Sequence, residues 1–428
     1  GFTLVVVLTL AFGIGVNAAL FTWFNAAAFR PLPVQNPEQL YTINRLDENG
    51  SKARGTAYAD FVAYRNHQTV FSDLTASTGS KVELADSSTG EKLLVIRIET
   101  VSTSYFSAFG VPMTLGRPLV ADDETSSRAL PVIVLSHRFW QHDLGGDPHI
   151  IGRTLNLRGL AEEKLTVVGV AGPEFYGTKP GALAGWVPLL LRSGDSWRTD
   201  LKAMDYTLTG RLRPGVSRER ATEELQVIAN ELLARSRAGV VSSETIVLDR
   251  ASTYLKLTPK IITALLPMVF LFGAVLLVSC ANASNLILAR AVTRQFEFAV
   301  RSALGATRRR LFGQIMIESL VLGCLGGLFG WMVAAGLLRF VWPWLINMMP
   351  VAREGLAGLN FHADHRVFGF TLAISLLAGV VGGLFPALQV TRRDVGSALK
   401  SEGSPFGRRL QLSRVRSFLA VAQLALSS

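Results

Sequence analysis

The chain has 428 residues, 49% of them hydrophobic, and carries 43 Lys and Arg against 32 Asp and Glu for a formal net charge of +11. A mean hydropathy of +0.33 exceeds that of an ordinary soluble domain and points to a membrane protein. The basic excess is no argument for nucleic acid. Beyond position 289 it crowds beside apolar runs, where it serves topology and anionic lipid, and no nucleic-acid motif accompanies it.

The chain starts at Gly1 without an initiator Met, directly inside an apolar run, and so reads as a fragment. Residues 1–29 hold no charge, more than the ~20 residues a helix needs to cross a bilayer, and form a first span. Gly13-Ile-Gly-Val-Asn-Ala18 fits a dinucleotide-binding pattern, but the flanks stay uncharged on both sides, so small residues packing helix on helix are the better reading. Arg30-Pro-Leu-Pro33 makes a stiff exit from this span.

Residues 30–260 mix polar and apolar positions and form a large α+β domain. A helix is expected over Tyr58 to Leu74, strands over Leu93 to Val101 and Leu130 to Leu135, and a hairpin over Leu155 to Val170. Thr207 to Leu212 reads as a strand, and Pro214-Gly-Val-Ser217 as a turn and cap. A helix follows with its stripe at Ala221, Leu225, Ile228 and Leu232, then a strand at Thr245 to Leu248 completes a βαβ unit. His137, His142 and His149, with Asp143 and Asp147, fit no zinc spacing and read as a solvated loop, so no metal site is expected. The two cysteines, Cys280 and Cys324, lie in apolar runs, so disulfides do not hold this domain.

Three further apolar runs, 261–289, 311–338 and 367–391, can each span. Six arginines against Glu297 lie between the first two, and a second basic stretch, 392–416, follows the last. The intervening loop, 339–366, is poorer in basic residues. The positive-inside rule places 290–310 and 392–416 in the cytosol, and helix parity places 30–260 outside. Gly323 and Gly327, Gly326 and Gly330, and Gly379 and Gly383 stand at small-x-x-x-small spacing, suited to packing within the chain in preference to a dimer seam. Residues 417–428 read as the start of a fifth span. The fold class is therefore an integral membrane helical bundle, four spans plus the start of a fifth, with a large α+β extracytoplasmic domain.

The cytosolic segment carries the sharpest pattern. As a helix it sets Phe296, Val300, Ala303 and Leu304 on one face and Arg294, Glu297 and Arg301 on another. Glu297 precedes Arg301 in the favourable i,i+4 order. Gly305 ends the helix, Ala306 follows it, and Thr307 can cap the next. Glu318 lies about 12 Å along that next helix from Arg310, near enough to reach headgroup water or Arg310. Structural anchoring is preferred for it over proton or substrate handling. By physics alone, the segment is a basic amphipathic helix on a membrane surface followed by a corner.

Arg294-x-x-Glu297-x-Ala-Val-Arg301-x-Ala-Leu304-Gly305-Ala306 resembles the cytosolic segment between spans two and three of the MacB/FtsX-like permeases of ABC transporters. Arg30-Pro-Leu-Pro33, Leu115-Gly-Arg-Pro118, Gly145-Gly-Asp-Pro148, Ile151-Gly-Arg-Thr154 and Leu212-Arg-Pro-Gly-Val-Ser217 resemble that family's periplasmic core domain, in the same order. The resemblance implies a multi-pass protein of the bacterial inner membrane, with the core domain at 30–260 and an FtsX-like permease domain at 261–391. It implies export or mechanotransmission driven by a separate ABC ATPase that contacts Arg294, Glu297, Arg301, Leu304, Gly305 and Ala306. A periplasmic partner, and a dimer or a duplicated second half as in the MacB-like permeases of Acidobacteria, belong to the same expectation. No G-x-x-x-x-G-K-[ST] loop occurs in these residues, so ATP is expected on a partner subunit, with no cofactor in this chain and no enzyme site. The competing reading is a membrane-anchored sensor or interaction module without ATPase coupling.

Overall fold

The structure is a computed structural model. It describes residues 1–392 apart from 48–49, 53–54, 86–91, 125–129, 180, 182, 193–204, 237–243, 295–296, 298–299, 302–303, 349–360 and 362–363. Nearly all of the basic linker expected at 392–416, and the fifth span expected from 417, therefore lie outside the described residues. Two compact units emerge, one built from the apolar helices and one from residues 27–256.

In the first unit, four helices among the described residues are long and apolar enough to cross a membrane: Phe2–Phe29, Pro259–Ala291, Arg308–Leu345 and His365–Leu388. The third packs against the first and the fourth, and the second also touches both of these. Large apolar side chains point outward, among them Leu4, Leu8 and Phe12 on the first span, Val269 and Phe270 on the second, and Phe368 and Leu372 on the fourth. Hydroxyls lie inside: Thr22, Ser279, Ser319, Thr371 and Ser375 are buried. This inversion suits a lipid solvent. Four of those hydroxyls donate to the carbonyl four residues back, such as Thr371 to Val367 at 2.8 Å and Ser375 to Thr371 at 2.6 Å. No hydroxyl bonded in this way is left without a partner in hydrocarbon. Trp23 packs on Trp342, and Phe21 stacks on Phe370 with centroids 4.0 Å apart. Close by, Asn25 donates to Asp364 at 2.8 Å, and Asp364 also accepts the Arg366 and Val367 amides that open the fourth span.

The glycines sit where helices touch. A Cβ at Gly323 would lie 2.6 Å from the Ser375 carbonyl oxygen, one at Gly327 would overlap the Ser375 hydroxyl, and those at Gly379 and Gly383 would meet Leu320 and Ser319. Gly330 faces Ala11 and Gly15 of the first span. Gly13 of the dinucleotide-like pattern lies against Ser279, and the whole pattern is interior to the first helix.

The second unit is a ten-stranded sheet: β1 (Leu40–Leu46), β2 (Phe71–Ala85), β3 (Lys92–Val101), β4 (Met113–Gly116), β5 (Val132–Leu135), β6 (Thr154–Arg158), β7 (Lys164–Ala171), β8 (Leu183–Pro188), β9 (Thr207–Leu212) and β10 (Thr245–Arg250), in the order β10-β1-β9-β2-β3-β8-β5-β7-β4. β6 pairs with both β2 and β7, so β2-β3-β8-β5-β7-β6 closes on itself as a small barrel. The remaining wing carries the helices Tyr58–His67 and Arg218–Ser236, which bury Phe61, Tyr64, Ala221 and Leu225. Ser217 accepts the Arg220 amide at 3.2 Å, as its capping position predicts.

Two local expectations need correction, and the βαβ unit forms with one added detail. The helix from Tyr58 stops at His67, because Gln68 turns extended and accepts the Phe71 amide, after which Phe71 pairs with Leu212. Between β9 and β10 of the βαβ unit lies β1, antiparallel to both. His137 and His142 belong to a short helix, His137–His142, whose cap Ser136 accepts the Phe139 amide.

Candidate functional site

The site grows out of i,i+4 spacing on the helices that flank the cytosolic segment. Arg290 and Arg294 are four apart, as are Glu297 and Arg301, and Gln314 and Glu318, so each pair shares one helical face. The structure joins the three pairs. Arg290 Nη1 lies 3.0 Å from Glu318 Oε1, and Arg294 Nη1 lies 3.7 Å from Glu318 Oε2. Arg294 also holds Glu297, with Nε 2.7 Å from Oε2. Glu297 Oε1 accepts from Arg301 Nη2 at 2.5 Å, and Arg301 Nη1 donates to Gln314 Oε1 at 2.8 Å. Span two, the cytosolic segment and span three are thus stitched into one ring. Arg290 further lies over the Phe2 ring of the first span, 5.0 Å from its centroid, a favourable cation–π placement.

Glu318 is therefore not paired with Arg310, as its neighbourhood in sequence suggests, but with Arg290 and Arg294. Spans two and three each pack on spans one and four, and the cluster of Ala291 with Leu311 and Ile315 holds the end of span two near the start of span three, within reach of the Glu318 side chain. Arg290 and Gln314 were not among the residues singled out from the sequence. Their signal lay in the i,i+4 relation to Arg294 and Glu318.

The corner is set by Gly305, which has φ +92°. The Ala306 amide bonds back to the Arg301 carbonyl at 3.0 Å, the six-to-one bond of a Schellman ending. Thr307 occupies the N-cap position of the next helix, but its hydroxyl makes no capping bond. The Leu304 side chain is 82% exposed and Val300 is exposed beside it. Ala306 instead leans on the small cluster of Ala291, Leu311, Ile315 and Ala387. The segment thus presents a bare apolar tip on a charged clamp. Phe296 and Ala303, expected on the same face, lie outside the described residues.

The hydrogen bond from Arg294, reinforced by the charges of Arg294 and Arg301, holds the Glu297 carboxyl below the usual carboxylate range. A carboxylate depressed on folding contributes stability above its unfolded pKa and loses it as pH falls through the folded value. The clamp is therefore expected to be intact at neutral pH and to loosen only below about pH 4. Hydrogen exchange at the Leu304 and Ala306 amides across that range checks this, with Glu297→Gln expected to remove the pH step.

The Arg290–Glu318 pair is half exposed, and such pairs contribute about 0.2–1 kcal/mol. Reversing either charge is expected to lower the thermal midpoint of the detergent-solubilised chain. The double reversal, Arg290→Glu with Glu318→Arg, should recover most of the loss in a double-mutant cycle.

The architecture defines a class: a polytopic membrane protein with a large folded domain between spans one and two and a clamped, charged segment between spans two and three. Residues 3–228 match the MacB-like periplasmic core domain, and residues 269–395 match the FtsX-like permease C-terminal domain. The uncharacterized ABC transporter permease YknZ of Bacillus subtilis (strain 168) is 33% identical over 135 residues, 30% of this chain and 30% of that protein. The macrolide export ATP-binding/permease protein MacB of Burkholderia cenocepacia (strain HI2424) is 25% identical over 308 residues, 71% of this chain and 41% of that protein. The chain thus spans less than half the length of either relative. Among solved structures, the periplasmic region of MacB from Actinobacillus actinomycetemcomitans aligns with 51% of this chain and 92% of that one, at 14% identity and a TM-score of 0.37.

The chain belongs to the MacB/FtsX-like family of ABC transporter permeases. It is a multi-pass protein of the inner membrane with its core domain on the periplasmic side.

Proposed function

We propose that the chain couples ATP hydrolysis by a separate ABC ATPase to motion of its periplasmic domain, for export or for transmission of a conformational signal. The observation that carries this is the ring from Arg290 to Glu318 with the exposed Leu304 tip. A force applied at the tip has a direct route into both flanking spans, because Glu297, Arg301 and Gln314 hold the segment to the helix that follows it. A segment merely resting on lipid has no need of such a link. These residues hold no phosphate loop, so the ATPase site of this proposal lies outside them.

The relative named as a macrolide exporter supports outward movement of a substrate. Among the described residues, the polar side chains buried between the four spans are small or amide, which argues against a hydrophilic conduit and favours a cargo that meets the periplasmic domain. The duplicated MacB-like architecture of Acidobacteria is the subfamily proposed.

The test is reconstitution with the ABC ATPase that co-purifies with the full protein. Leu304→Asp is expected to reduce co-purification at least about tenfold, as loss of one buried apolar anchor allows, with no change in thermal midpoint. Unaltered capture by that variant would count against the contact.

A further inference from the structure

The periplasmic unit is tied to the chain on both sides by a neck. The last turn of the first span and the segment beyond it are bonded to the segment that returns to the second: the Leu255 amide to the Ala27 carbonyl at 2.7 Å, and the Leu32 amide to the Ser252 carbonyl at 2.8 Å. The Ala251 amide then bonds the Leu40 carbonyl at 2.8 Å, where β1 begins. Whatever moves one segment of the neck moves the other.

One side chain fastens this neck to the sheet. Arg211 on β9 opposes Leu40 of β1, and all five of its N–H donors go to neutral oxygens. Nη2 donates to the Gln35 carbonyl at 2.5 Å and to the Ala108 carbonyl at 3.0 Å. Nε donates to Ala108 as well, at 3.1 Å. Nη1 reaches the Asn36 carbonyl at 3.2 Å and Gln39 Oε1 at 3.4 Å. A rigid five-donor fork is what such divergent acceptors require, and a lysine ammonium with three donors cannot serve them all.

The partners are informative. Gln35 and Asn36 end the neck, and Asn36 has φ +42°, the left-handed region that a non-glycine residue seldom occupies. Ala108 lies near the end of the short helix Tyr105–Phe109, whose aromatic residues pack with Trp186, Val34 and Ala251 in the second core of this unit. The Gln35 amide adds a bond to the Phe109 carbonyl at 3.0 Å. The neck also runs tight against the helix end, since a Cβ at Gly110 would come within 2.6 Å of Gln35 Cδ.

On the reading that ATP hydrolysis moves the periplasmic domain, we propose that Arg211 is the positioning residue that locks the bend of the neck to the sheet and to the helix Tyr105–Phe109, so that movement of the neck is delivered to the whole domain. Without it, the neck pivots at Asn36 and the domain stays behind.

The experiment is hydrogen exchange on the full protein in nanodiscs, with its co-purified ATPase, with and without ATP, for wild type, Arg211→Lys, Arg211→Ala and Gly110→Ala. In both Arg211 variants the Gln35 and Gly110 amides are expected to exchange at least about tenfold faster, as loss of their local support allows, while Leu74 and Leu208 in the sheet stay as in wild type. ATP turnover should persist, and the ATP-dependent change in the sheet that wild type shows should vanish. Gly110→Ala, which leaves the guanidinium in place and displaces the neck, should show the same loss. Retention of the ATP-dependent change in the Arg211 variants, or a uniform rise in exchange across the domain, overturns the assignment. A wild type without any ATP-dependent change would instead defeat the coupling reading, and the proposal with it.

Discussion

Valine at position 305 is expected to abolish stimulation of the partner ATPase while leaving membrane insertion and the fold of the periplasmic domain intact. Gly305 has φ +92° and no neighbour within 4 Å of where a Cβ would stand. The penalty is therefore conformational, not steric. A β-branched residue in this region costs about 1–3 kcal/mol, enough to unwind the Arg301–Ala306 turn and swing Leu304 away from its place. Asparagine tolerates the left-handed region, so Gly305→Asn should keep a measurable part of the stimulation. The measurement is ATPase rate in proteoliposomes beside protease protection of the periplasmic domain. Full stimulation by the valine variant would show that the corner has no part in coupling.

A second large effect is expected at the seam between spans three and four. Gly327→Val would drive side-chain carbon into Ser375, and Gly323→Val into the backbone of the fourth span. Overpacking of this kind costs about 1–3 kcal/mol, and each variant is expected to lower the thermal midpoint in detergent or to prevent accumulation. Gly313 and Gly336 have nothing within 4 Å, so alanine there should be silent. The comparison also separates packing within the chain from a seam between copies. In the latter case Gly327→Val would change the oligomeric state and spare the midpoint of the monomer.

The spans were legible because each is a long apolar run with its charges gathered at the ends, Glu318 of the third being the exception. Wing strands such as Thr207–Leu212 were legible from their alternation and turn residues. Other elements hid for definite reasons. Phe71 and Leu74 follow Phe61 and Tyr64 at helical steps of seven and three, and only pairing with β9 makes them strand. Leu183–Pro188 carries Gly185 inside and a proline at its end, a pattern that reads as loop until β3 and β5 flank it. At the site, each i,i+4 pair could be read from one helix. The bond between Arg290 and Glu318 could not, since 28 residues separate them and only the packing of both spans on spans one and four brings them together. Arg211 was invisible for the same reason, because its acceptors are backbone carbonyls that carry no mark in the sequence.

The most direct test of ATPase coupling is a photo-crosslinking amino acid at position 304 in intact membranes. A crosslink to an ATP-binding subunit is expected in wild type, and its loss is expected in Gly305→Val. Crosslinks to lipid alone, or labelling of position 304 from the periplasmic side, would contradict coupling.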